Sequence, residues 1–203
     1  HDDLNEPLPK LSDTITHLTL GTKYNKPLTN LPISLTHLTL DFYYNHPLPK
    51  LPSTLTHLTL GATYNHLLPK LPSTLTHLIL GYCFNQPIPE LPPSLTHLVL
   101  GVYFNQNQLF DYLPQGLLYL EIGTYSNPSL VNLPNTLETL VINREYNETL
   151  DMLPDSIETL DIKYYEKKIN KLPQNLKFIT IKNSYKYKDD LLLLKHDLII
   201  NYC

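Results

Sequence analysis

One six-residue segment returns at intervals of twenty residues and governs everything else about this chain. It begins at Ile15, Leu35, Leu55, Leu75 and Leu95 and reads Leu-Thr-His-Leu-Thr-Leu with small changes. A fixed period of that length marks a solenoid, in which no unit can bury its apolar face alone and each packs on its neighbours. The 203 residues are therefore expected to form one elongated body with a continuous core.

A second anchor sets the register. Leu-Pro recurs at Leu31-Pro32, Leu51-Pro52, Leu71-Pro72, Leu91-Pro92, Leu113-Pro114, Leu133-Pro134, Leu153-Pro154 and Leu172-Pro173, and Leu11-Ser12 holds the same place without proline. Four residues after each anchor leucine a segment starts, and nine such segments are expected, the last at Leu176–Ile181. Each reads apolar-x-x-apolar-x-apolar, a pattern open to a strand or to one helical turn. Twenty residues interrupted by Pro and Gly cannot hold two helices and their turns, so a short strand with an irregular return is the solution. Repeats of about 20–29 residues with this apolar spacing are of the leucine-rich type. The expected fold is a right-handed superhelix with a parallel β-sheet on its concave face and Pro-rich return arcs on its convex face. Nine strands at about 4.8 Å span about 40 Å.

Counting the first strand residue as position one, position seven holds Gly21, Asp41, Gly61, Gly81, Gly101, Gly123, Asn143 and Lys163, with Asn183 one residue further on in the last segment. Gly, Asn and Asp tolerate positive φ, and the chain is expected to leave the strand there in that conformation. Position ten holds Tyr24, Tyr44, Tyr64, Phe84, Phe104 and Tyr146, expected as an aromatic ladder in the core. Position eleven holds Asn25, Asn45, Asn65, Asn85, Asn105, Asn127 and Asn147. These are expected as a buried amide ladder that satisfies backbone groups of the return arc.

The ends depart from the period. Leu4 to Leu8 resembles the back half of a repeat, so the chain is expected to open inside the solenoid. The division expected is a solenoid over residues 1–182 and a cap over 183–203, the cap covering the last strand edge.

Composition narrows the function. Net charge is −4, and Lys and Arg form no stripe, so nucleic acid is not an expected partner. No apolar stretch reaches eighteen residues, and no membrane-spanning segment is expected. Two cysteines, Cys83 and Cys203, form no end-cap cluster, which favours a reducing, cytoplasmic setting. The sequon at Asn147-Glu148-Thr149 falls on the amide ladder and reads as structural. Phosphate-binding, metalloprotease and nucleophile-elbow motifs are missing, so no catalytic residue, metal or cofactor is assigned.

The segment Phe84-Asn85-Gln86-Pro87-Ile88, followed by Leu91-Pro92-Pro93-Ser94-Leu95-Thr96-His97-Leu98-Val99-Leu100-Gly101, resembles the FNIP repeat. The likeness is tight to Phe104 and looser from Leu113 onward. FNIP repeats resemble leucine-rich repeats and occur mostly in amoebae and their giant viruses, where they often follow an F-box. The resemblance implies a protein-binding arm, the substrate-recognition part of an F-box-type ubiquitin ligase adaptor, working in the cytoplasm, or the host cytoplasm for a viral protein. No F-box residues occur in this chain.

Alternation along the strand places positions three and five on the concave surface. One column is then His17, His37, His57, His77 and His97, and a second begins Thr19, Thr39, Thr59. Further along, the same face carries Tyr119, Glu121, Glu138, Glu158 and Asp161. These residues are the candidate contacts for a protein partner, with the acidic end suited to a basic patch. Three readings stay open: a partner-binding face, a pH- or metal-responsive histidine ladder, and a structural spacer whose His and Thr are simply tolerated in a copied repeat.

Overall fold

A computed structural model of the chain describes residues 6–123, 127–143 and 146–203. Ten strands follow one another: β1 (His17–Thr19), β2 (His37–Thr39), β3 (His57–Thr59), β4 (His77–Ile79), β5 (His97–Leu100), β6 (Tyr119–Ile122), β7 (Thr139–Ile142), β8 (Thr159–Asp161), β9 (Phe178–Ile181) and β10 (Ile199–Tyr202). They form one sheet in sequence order, and every pair is parallel. The register is in phase with the repeat, so His17 faces His37 and Leu18 faces Leu38. This is the leucine-rich-type solenoid expected from the period.

Positions one, four and six bury their side chains almost completely, as at Leu55, Leu58 and Leu60. Position fourteen points inward too, through Leu28, Leu48, Leu68, Leu130 and Leu150, as does Ile169 at position thirteen of its shorter repeat. The aromatic ladder is present: Tyr24, Tyr44, Tyr64, Phe84 and Phe104 stack at 6.2–6.4 Å between ring centroids. It continues into Tyr146, Tyr165 and Tyr185, all buried. Tyr165 escaped the sequence reading because its repeat is one residue short and it falls at position nine, whereas Tyr185 keeps position ten of the last segment and was overlooked.

Each coil turns twice. Leading in, the N–H of position one bonds to the anchor proline carbonyl, as from Leu35 to Pro32 at 3.1 Å. A hydroxyl just before the strand then ties that turn to the previous coil: Thr54, Thr74 and Ser94 donate to Leu35, Leu55 and Leu75 at 2.7–2.8 Å. Leading out, the position-ten N–H bonds to the position-seven carbonyl, as from Tyr64 to Gly61 at 3.1 Å.

The outward turn corrects one expectation. Among the described residues no φ is positive, glycine included. An i to i+3 bond with negative φ throughout is a type I turn, which favours Asp and Asn at its first place. Asp41 shows why, since its Oδ1 accepts from the Phe42 N–H at 2.7 Å. Glycine serves close approach instead: a Cβ on Gly81 would lie 1.8 Å from the Gly61 carbonyl oxygen, and one on Gly61 1.9 Å from that of Asp41.

The coil series has two irregularities. The two extra residues between Leu91 and Leu113 are absorbed by a 3₁₀ turn, Asn107–Asp111, that buries Phe110. The tail adds a tenth strand to the expected nine. After β9 the chain forms α1 (Lys188–Leu194), seats Leu191 in the core, and returns as β10 beside β9. Residues 183–203 thus carry a tenth strand of the sheet. It lacked the Leu-Pro anchor, so the repeat pattern did not reveal it.

Candidate concave-face binding site

The five histidines form one stack. Successive ring centroids lie 4.0–4.1 Å apart with planes within 11–14° of parallel, from His17 through His97. In-phase parallel pairing causes this, because each position-three residue sits directly beside its counterpart. Tyr119 extends the stack from His97 at 5.7 Å. His17 is exposed at the edge strand and the other four are half-buried.

A second column holds the rings in place. The position-two threonine contacts its own neighbour's Nδ1 at 2.8–2.9 Å in all five coils. The same Oγ1 lies 2.9–3.2 Å from the backbone carbonyl of the preceding threonine for Thr36, Thr56, Thr76 and Thr96. Both contacts need a proton, the hydroxyl carries one, and a carbonyl carries none. The threonine proton therefore goes to the carbonyl, and Nδ1 must bring its own. At His37, His57, His77 and His97 the neutral ring is the Nδ1–H tautomer, with the Nε2 lone pair outward. These threonines were missed as functional residues, although a hydroxyl beside each His at fixed register was the available signal.

The stack favours the neutral form of its three middle rings. His77 is pushed down to about 4, first by burial and then by His97, His57 and His37. His57 and His37 are lowered by the same two causes. Parallel rings also aim their lone pairs side by side, which does not suit the converging ligands of a tetrahedral metal. Among the described residues no group of three or more His, Cys, Asp or Glu is placed to hold an ion.

The position-five column runs Thr19, Thr39, Thr59, Ile79 and Val99 beside the histidines. The acidic end is more engaged than its sequence suggested. Glu121 accepts from the Tyr119 hydroxyl at 2.8 Å and from Asn143 Nδ2 at 2.6 Å. Burial, then Glu121, pushes Tyr119 up to about 12. Asp161 pairs with Lys163 at 2.9 Å, while its Oδ1 is buried without a hydrogen-bond partner among the described residues. Glu158 pairs with Lys177 at 2.8 Å, a partly exposed contact worth about 0–1 kcal/mol. Glu138 is exposed.

The asparagine ladder is real but lies elsewhere than expected. The backbone N–H of Asn45, Asn65, Asn85 and Asn105 donates to the preceding Oδ1 at 2.9–3.2 Å, and Asn147 donates to Asn127 at 2.7 Å. Yet Asn25, Asn45, Asn65, Asn85, Asn105 and Asn147 are exposed and Asn127 half-buried. The arc bends around the buried ring at position ten, which leaves position eleven on the rim. These residues are scaffold, remote from the concave face.

The repeat model of the FNIP family matches residues 5–43, 44–83, 84–125 and 125–165. The chain belongs to the FNIP repeat family. Among solved structures this FNIP chain is similar to CroV588, described as a novel circular LRR protein, with 31% identity and a TM-score of 0.77 over 95% of this chain. It is also similar in fold to YopM from Yersinia enterocolitica WA-314, with 22% identity and a TM-score of 0.54 over 87% of this chain. The FNIP chain spans 34% of the CroV588 chain and 44% of the YopM chain. A search of curated proteins found no match. Solenoids of this leucine-rich type are typical protein-interaction scaffolds, and no described helix is long and apolar enough to cross a membrane.

Proposed function

We propose that this FNIP solenoid binds a protein partner on its concave sheet face. The observation that carries the reading is the continuous side-chain array there. Five stacked imidazoles run into Tyr119 and then into a carboxylate-bearing end, held in register by nine parallel strand pairs. An ordered array of half-buried polar rings presents contacts already fixed in place, which lowers the ordering cost of association. His17, His37, His57, His77, His97, Thr19, Thr39 and Thr59 form one half of the proposed surface, and Tyr119, Glu138, Glu158 and Asp161 the other. Glu121 serves mainly to anchor Tyr119 and Asn143.

The finer reading, the recognition arm of an F-box-type ubiquitin ligase adaptor, draws its support from the family resemblance. Free Cys83 and Cys203 fit a reducing compartment such as cytoplasm. The test is capture of partners from cytosol with the parent chain and two paired variants. His57→Lys with His77→Lys should abolish capture while thermal unfolding stays cooperative. His46→Lys with His66→Lys, on the return arc, should leave it intact. The reverse pattern moves the binding surface to the convex side. Cullin–RING subunits among the captured proteins of a full-length chain would support the ligase role.

A further inference from the structure

The tautomer at the histidine stack gives the concave face a chemical sign. With Nδ1–H committed to threonine, His37, His57, His77 and His97 each turn a bare acceptor, Nε2, away from the sheet. None of these Nε2 atoms is both buried and unpartnered, so they reach solvent. Proton donors are scarce around them. The position-two hydroxyls spend their protons on backbone carbonyls, and the position-five column gives Ile79 and Val99 after Thr59. At the far end the face carries Glu121, Glu138, Glu158 and Asp161 against Lys163 and Lys177.

We propose that the concave face of this solenoid binds an extended polypeptide segment rich in arginine or lysine, whose side chains donate hydrogen bonds to the column of histidine Nε2 atoms. The inference rests on the concave-face reading and adds the partner's chemistry to it. Hydrogen-bond complementarity is the first argument, since an acceptor column left facing acceptors on a partner would be desolvated without compensation. Charge is the second, because the β6–β8 end stays net negative after Asp161 and Glu158 pair with Lys163 and Lys177, with Glu138 exposed there, and so attracts a cationic segment and repels an acidic one. Arginine suits the site best, as its planar guanidinium offers several donors and stacks on imidazole and on Tyr119. A segment of about 13 extended residues crosses all ten strands at about 4.8 Å each.

The experiment is fluorescence anisotropy with two labelled probes at about 150 mM salt and neutral pH, where distant charges are screened. One probe is a 13-residue peptide alternating Arg and Ser, and the other alternates Glu and Ser. The basic probe should bind and the acidic one should not. His57→Phe with His77→Phe keeps flat rings in the stack but removes two acceptors, and should weaken the basic probe by at least about five-fold. His57→Gln with His77→Gln keeps an acceptor oxygen and should stay within about two-fold of the parent. Equal binding by the Phe variant would reduce the effect to plain attraction by carboxylates and overturn the proposal, as would a preference for the acidic probe or no binding of either. If capture from cytosol still maps to the concave face in those cases, the broader reading stands while the partner's chemistry does not.

Discussion

At the residue scale, two hydroxyl populations behave in opposite ways. The position-two threonines fix a ring tautomer that is the minor form of free imidazole. Nitrogen-detected NMR of the parent chain should therefore show a protonated Nδ1 and a bare Nε2 at His37, His57, His77 and His97 near neutral pH. Nε2–H signals at those four rings would break the hydrogen-bond logic of the stack. The tyrosine hydroxyls of the aromatic ladder divide along the chain. Tyr146 donates to the Pro128 carbonyl at 2.7 Å and Tyr185 to Lys167 at 2.6 Å. The hydroxyls of Tyr24, Tyr44 and Tyr64 are buried without such a bond. Burial pushes Tyr64 up to about 12 and outweighs a weak hydrogen-bonding approach of the Leu48 backbone, which lowers it. Phe84 and Phe104 already fill the next two places in the same stack. Tyr64→Phe should consequently be neutral or stabilising, whereas Tyr146→Phe should cost about 0.5–1.5 kcal/mol. Urea melts of the two variants compare them directly, and equal losses would mean Tyr64 does hold a bond.

At the element scale, one coil is legible to the extent that its residues repeat. Leucines at one, four and six could be read as a strand because the twenty-residue period left no room for helices. The aromatic ladder followed from the same register. What escaped depended on where the neighbouring coil lies. Position seven looked like a site for positive φ, yet its glycines answer to a carbonyl in the previous coil. Asn45 and Asn65 looked buried because they recur, but recurrence reports stacking, which an exposed rim provides as well as a core. The tyrosine hydroxyl that holds Glu121 and the amide of Asn143 that joins it come from different coils, so no local pattern announces them. The coil-spacing argument predicts that Gly81→Ala costs about 1–3 kcal/mol, an overpacking penalty, although glycine to alanine usually relieves chain entropy. Asp41, Asn143 and Lys163 occupy the equivalent place in coils whose spacing admits a Cβ. A thermal melt in which Gly81→Ala is as stable as the parent would show that the glycine run is free to spread.

At the scale of the whole molecule, the histidine stack links five coils to pH. The titratable groups facing the column are the imidazoles themselves on β1 to β5, with Tyr119 and Glu121 at the β6 end; the flanking columns are threonine, isoleucine and valine. His37, His57 and His77 are lowered below their ordinary value of 6.5, His77 to about 4, by burial first and by neighbouring rings second. A ring lowered on folding binds fewer protons than the unfolded chain in the interval between the two values. Stability then falls as pH drops, beginning near 6.5 and continuing until the folded ring itself protonates. For His77 that interval ends near 4. Asp151, whose value is lowered from 3.8 by Asn170 and other hydrogen bonds that outweigh its burial, loses its contribution only below 3.8, so the two effects occupy separate ranges. Midpoints of urea unfolding measured from pH 7.5 to about 3 should decline, with the steepest part of the histidine effect below 6.5. Replacing His37, His57 and His77 together by glutamine removes the titrating rings and should flatten the decline while leaving the loss below pH 3.8. If the triple variant falls as steeply as the parent between 6.5 and 4, the acid sensitivity belongs to carboxylates and the stack is electrostatically inert. If the parent shows no decline, the rings protonate as easily in the fold as outside it, and the close parallel stacking would have to open without weakening the coils.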